Sequence, residues 1–160
     1  MTLRFGSLRV QTTVHWPRAE TVSLALVLTD ELSPTDSWVK NFVVVGLAAG
    51  MSSSTELAAL AWLSEHLGEF GANSDRMLVA GGARAAGLAL ATRDSGWPVL
   101  WRQLLVHPRF TPEQPMPTNV AGAPPATVVF GAESDGGRRY AERLRAAGVE
   151  VYEVRDDGQC

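Results

Sequence analysis

Lysine is almost absent from this 160-residue chain: Lys40 is the only one, and every other basic side chain is arginine. Net charge is −3, no run of basic residues occurs, and basic and aromatic residues do not interleave, so a nucleic-acid surface is not expected. Cysteine is equally scarce. Cys160 stands alone, which excludes an internal disulfide, and no Cys/His set has the spacing of a zinc site, so neither metal nor cofactor is expected. No apolar run reaches 18 residues, which leaves no candidate membrane span. Residues 1–5, MTLRF, lack the apolar stretch of a signal peptide, and a cytoplasmic location is the default expectation. What the chain does have is 46% apolar and 19% charged residues, the balance of a globular protein. Its length suits a single domain over 1–160, enough to bury roughly 70% of the unfolded surface.

Short apolar runs alternate with helical patterns. Residues 8–15 alternate in part and suggest an edge strand before Pro17. VSLALVLT (22–29) and FVVVG (42–46) read as strands buried on both faces, as in a parallel sheet. Ser53-x-x-Glu56 matches a capping box opening a helix that carries Leu57, Leu60, Leu63, Leu67 and Phe70 on one face, with Gly68 or Gly71 to end it. Residues 77–80 form a strand and 84–93 a buried helix; 103–106 and 126–130 are strands separated by a loop with five prolines between 111 and 125. A helix over 137–147, with Tyr140, Leu144 and Ala147 inward and Gly148 as C-cap, leads to a last strand at 149–154. The order implies an α/β fold: a mostly parallel sheet with right-handed crossovers and helices on both faces.

The most informative segment is LVAGGARAAGLALA (78–91), a strand running through Gly81-Gly82 directly into a helix. In a nucleophile elbow, G-x-S-x-G, such a turn lifts a serine above the sheet, and the glycines relieve crowding around it. Here the pentad is Gly81-Gly82-Ala83-Arg84-Ala85. Together with LAALAWLSEHLGEFGANSDRM before it, and WRQLLVHPRFTP, APPATVVFGAESD and RRYAERLRAAGVEVYEVRDDGQ after it, this segment resembles the hormone-sensitive-lipase-like carboxylesterases of the α/β-hydrolase superfamily. The similarity runs over residues 57–110 and 123–159 and is poor before residue 55.

The departures weigh more than the matches. The resemblance implies a serine nucleophile where Ala83 stands, and a methyl group cannot attack a carbonyl. It implies a His-Gly-Gly-Gly oxyanion loop after the strand at 22–29, where the sequence has Thr29-Asp30-Glu31-Leu32-Ser33-Pro34; two carboxylates there would oppose a developing oxyanion. The cap insertion is reduced to the proline-rich loop, and the histidine would fall just past Cys160. Asp135 matches the acid of the triad, with Glu133 two residues earlier.

Other nucleophiles and sites are weaker. Ser53 in Gly50-Met51-Ser52-Ser53-Ser54 already has a capping role; the histidines His15, His66 and His107 are scattered, and His66 reads as a solvated surface residue. His107, before Pro108 at the C-terminal edge of the sheet, is the best-placed histidine, with a structural role as the simpler reading. Gly81, Gly82 and Arg84 at the start of the helix offer an anion site, yet they miss the G-x-G-x-x-G dinucleotide pattern. Asp156-Asp157 reads as a solvated turn, and the five tryptophans hint at an exposed apolar patch.

Three functions are consistent with these residues. One is a non-catalytic binding or interaction module that has lost hydrolytic activity, with a small ester-like or anionic ligand, a protein partner or a second copy as what it binds. Another is an atypical carboxylic-ester hydrolase completed by another chain or an unrecognised nucleophile. The third is a small-ligand or anion binder at the helix N-terminus of the elbow.

Overall fold

The protein, represented by a computed structural model, is described for residues 2–5, 8–15, 23–28, 30–33, 36–40, 42–48, 50–72, 76–131 and 135–156. Eight strands form one sheet: β1 (Thr2–Phe5), β2 (Leu8–His15), β3 (Leu24–Leu28), β4 (Val43–Leu47), β5 (Met77–Gly81), β6 (Arg102–Val106), β7 (Ala126–Phe130) and β8 (Val151–Arg155). Their order is β1-β2-β4-β3-β5-β6-β7-β8. The β1–β2 and β2–β4 pairs are antiparallel and every other pair is parallel. The described residues also form three α-helices: α1 (Ser53–Glu65), α2 (Ala83–Ser95) and α3 (Asp135–Ala146).

The apolar runs do what a parallel sheet asks of them. All five residues of β3, of β4 and of β5 are buried. Alternate residues of β3 feed two separate cores. Leu24, Leu26 and Leu28 pack with Leu60 and Leu63 of α1, Ala85 and Leu88 of α2, and Tyr140 and Leu144 of α3. Ala25 and Val27 pack on the opposite face with Leu32 and Val39, the latter in the 3-10 turn Ser37–Val39.

Several local expectations are corrected. Residues 8–15 are not an edge strand, because β2 is paired on both sides, by β1 and by β4. The four-residue β1, with a charged residue and no apolar run, carries no sequence signal strong enough to announce it. The cap of α1 is Ser52, not Ser53: its Oγ accepts from the Thr55 backbone N–H at 3.2 Å. Glu56 is thereby released from the capping box for a longer-range partner. Helix α1 stops at Glu65, and a 3-10 turn over Leu67–Phe70 is closed by Gly71 at φ +78°. On α3, Ala141 rather than Ala147 joins Tyr140 and Leu144 in the core. His66 is half-buried, its ring stacked 3.9 Å from that of Trp62 and its Nδ1 2.6 Å from the Trp62 carbonyl oxygen.

One core group is held at a cost. The Tyr140 hydroxyl is buried without a hydrogen-bond partner among the described residues, and burial pushes its pKa from 10.0 up to about 12 against the pull of Arg93 and Arg143. In the unfolded chain the phenol ionises near 10.0, so the native state loses stability as pH rises from there to about 12. Tyr140→Phe is expected to remove that alkaline slope. At neutral pH it should raise stability by up to about 1 kcal/mol, since no hydrogen bond is lost. Urea unfolding at pH 7 and pH 11 checks both.

Candidate functional site

The strand order reverses around β3, which lies between β4 and β5. In open α/β sheets a crevice forms at such a reversal, beyond the carboxyl ends of the strands. Two segments meet there: the turn after β3, with Asp30 and Glu31, and the strand-to-helix turn from β5 into α2, with Gly81, Gly82 and Ala83. The turn after β3 is fixed by the Glu31 and Leu32 N–H groups, each donating to the Leu28 carbonyl at 3.0 Å.

That turn delivers the Glu31 carboxylate onto the first turn of α2. Gly82 N–H donates to Oε1 at 2.8 Å, Arg84 N–H to Oε2 at 2.9 Å, and Ala85 N–H to Oε1 at 3.2 Å. Gly82, the N-cap, has no side chain to satisfy these donors, so a residue 51 positions earlier supplies the cap. The glycines make the approach possible. A Cβ at Gly81 would lie 2.8 Å from Glu31 Oε1 and 3.1 Å from Ala85 Cβ, and one at Gly82 would lie 3.3 Å from Glu31 Oε2.

Ala83 begins α2 and is 4% exposed. The strain that a nucleophile elbow places on its central residue is not found at this position. Among the described non-glycine residues, only His107 has a positive φ. The pentad thus keeps its strand-turn-helix path while its apex has relaxed into the helix.

The Arg84 side chain reaches away from the backbone site to pair with both Asp30 and Glu56. Glu56 is 3% exposed. Burial pushes it above the ordinary carboxylate range, and Asp30 and Glu31 add to that against the attraction of Arg84. Partial burial by itself would lower the pKa of Arg84, but Glu56 and then Asp30 outweigh it and hold the guanidinium charged. Arg84 therefore neutralises the protein's own carboxylates at this end of the sheet.

His107 follows β6 at φ +47°. Its N–H donates to the Val129 carbonyl at 2.7 Å, and its Nε2 lies 3.0 Å from Asp156 Oδ2, just past β8. Asp156 is thus tied to a histidine rather than lying in a solvated turn, and the pair joins the ends of β6 and β8 across β7. Close packing brings the start of α3 to the same rim: a Cβ at Gly136 would meet the Pro108 carbonyl oxygen at 2.9 Å. Asp135 opens α3, but its side chain, like Glu133, Asp157 and Cys160, lies outside the described part. A cleft of about 490 Å³ remains above the sheet, lined by Asp30, Glu31, Asp36, Gly82, His107 and Arg109 among others.

Of the residues singled out in the sequence, Gly82 and His107 share this cleft, with Gly81 and Ala83 flanking Gly82 and Arg84 just beneath. Glu31 is the participant whose role the sequence hid. Its only signal was a pair of acidic residues where an oxyanion loop is expected, together with two glycines able to admit a carboxylate. Among the described residues no group of His, Cys, Asp or Glu is placed to hold a metal, and no helix is long and apolar enough to cross a membrane.

No family model and no curated protein matches the sequence. Solved structures do match the fold. A thermostable esterase from Pseudomonas putida superposes with a TM-score of 0.80 at 20% identity, covering 97% of this chain and 71% of its own. A thermophilic carboxylesterase cloned from a metagenomic library gives 0.79 at 19%, covering 99% and 78%, and an esterase from Pyrobaculum calidifontis 0.80 at 18%, covering 99% and 75%. The chain has the α/β-hydrolase fold of these esterases and spans 71% to 78% of their length.

Proposed function

We propose that this chain of α/β-hydrolase fold serves as a non-hydrolytic binding or interaction module. The observation that carries the reading is the Glu31 carboxylate on the N–H groups of Gly82, Arg84 and Ala85. In an acting elbow, the N–H of the residue after the nucleophile stabilises the oxyanion of the tetrahedral intermediate. Here that N–H belongs to Arg84 and is already bound to an anion supplied by the chain itself. A second negative charge at that place would be repelled rather than stabilised.

Ala83 supports the same reading, because its methyl group has no electron pair to offer an acyl carbon. Triad residues act as a unit, so loss of the nucleophile alone forfeits most of the rate. The cleft that remains has three carboxylates in its lining, Asp30, Glu31 and Asp36, against one arginine, Arg109, which suits a neutral or cationic group better than an anionic one. The anion-binding reading of Gly81, Gly82 and Arg84 is disfavoured on the same ground, since the N–H groups of Gly82 and Arg84 are engaged by Glu31.

The test is turnover of p-nitrophenyl acetate and butyrate. The expected rate equals that of the same protein after heat denaturation. Saturable turnover that disappears in Asp135→Ala would support the atypical-hydrolase reading instead.

A further inference from the structure

We propose that the opposite end of the sheet carries a separate binding site, for a small molecule that joins a flat apolar body to an anionic group. It lies at the amino ends of β5 and β6, about 13 Å along β5 from Gly81, and does not depend on the fate of the elbow. Trp101 N–H donates to the Met77 carbonyl at 2.8 Å, which fixes the segment before β6 against the first residue of β5. Beside this junction is a cleft of about 490 Å³ whose walls include Leu67, Trp97, Pro98, Val99 and Trp101. Concave, mostly apolar spaces of this size are typical of small-ligand sites.

Three of those walls face water at a cost the fold does not require. Trp97 is 51% exposed, Val99 74% and Trp101 39%. They fall within five consecutive residues, so the exposure is one patch rather than scattered surface. A flat ring laid on the Trp97 indole would cover apolar surface on both partners and gain ring-on-ring contact.

Charge selects the other half of the ligand. Arg76 lines the cleft, and its guanidinium carbon is 5.4 Å from the centre of the Trp101 ring. Arg102 stands 5.5 Å from the same ring. Among the described residues lining this cleft there is no Asp or Glu, whereas the cleft at the other end has three. The two guanidinium groups bring positive charge to this indole, which suits an anion. A guanidinium held against an indole is a planar fork suited to a carboxylate or sulfonate.

The probe is 2-naphthoate, titrated calorimetrically into the full chain, with neutral 2-naphthamide as its partner. Saturable one-to-one binding of naphthoate, several-fold tighter than naphthamide, is expected. Trp97→Ala should weaken both ligands by about tenfold through lost ring contact. Arg76→Gln should weaken naphthoate alone by about fivefold. Val99→Glu, at a side chain open enough that folding is not at stake, should repel naphthoate and spare naphthamide. Tyr152→Ala, at an exposed position of β8, should change neither. The proposal is overturned if naphthoate fails to saturate up to its solubility limit, if the two ligands bind equally, or if naphthoate binding is indifferent to both Trp97→Ala and Val99→Glu.

Discussion

Arg84→Ala is expected to lower stability by about 3 kcal/mol, a fall of roughly 10 °C in Tm for a domain of this size. Two carboxylates lose their counter-ion at once. Glu56 has only 4% of its side chain exposed, so its charge would be stranded in the interior. Asp30, at 29%, can turn to water and adds little. The estimate sits at the low end of the range for broken buried pairs because Arg84 is itself 22% exposed.

Two controls separate this cause from lost packing. In the unfolded chain Glu56 titrates near 4.5, and in the native protein it titrates higher. On acidification the native state therefore binds the proton first, and the stability this adds is complete below the unfolded value and lost as pH rises through the native one. The deficit of Arg84→Ala should shrink as pH falls through that window. Adding Glu56→Gln to Arg84→Ala should recover more than half of the loss at pH 7, because the stranded charge is gone. Denaturant titrations at pH 7 and pH 5 read both effects. A deficit independent of pH and unrelieved by the second substitution would assign the role of Arg84 to packing.

Glu31→Ala should cost about 2 kcal/mol, the combined effect of a lost N-cap and a lost negative charge at the start of α2. Three N–H groups would be left without their acceptor. Glu31→Gln keeps one side-chain acceptor and should lose about half as much. The alanine variant should also become responsive to small carboxylates. Acetate would raise its Tm by filling the vacated donors, while the parent chain, whose donors are occupied, would show no shift. Differential scanning fluorimetry across an acetate series, at constant ionic strength, reads this directly. Equal responses in both proteins would mean that Glu31 does not guard the helix terminus.

Much of the architecture was legible in the residues, because buried parallel strands and helix faces write themselves as apolar periodicity. β3, β4 and β5 fall inside or close to the expected runs, and the turn through Gly81-Gly82 into α2 stands where the sequence places it. What escaped were choices among near-equivalents. Ser52 and Ser53 can each cap a helix, and the capping-box spacing to Glu56 favours Ser53. In the fold Glu56 is claimed by Arg84, 28 positions away, and the cap shifts back by one. Ala141 and Ala147 are chemically identical, but α3 ends at Ala146 and Ala147 lies exposed in the turn beyond it. β1 was invisible because four residues have no room for a pattern.

The candidate site was legible in its losses and opaque in its replacement. Ala83 and the acidic segment Asp30-Glu31 stand where the resemblance implies a serine and an oxyanion loop. That Glu31 would turn in and occupy the donors is a contact spanning 51 to 54 positions, fixed by the turn after β3 and by the absence of side chains at Gly81 and Gly82. No local rule conveys it.

On the proposed reading even a serine at position 83 would stay unreactive, because the N–H donors beside it already hold Glu31. The most direct test is to treat the parent chain and Ala83→Ser with a fluorophosphonate and read the intact mass over several hours. The expected result is no adduct on either protein. A stoichiometric adduct mapped to position 83 in the substituted chain would mean that the elbow still activates a hydroxyl despite Glu31, and would contradict the claim.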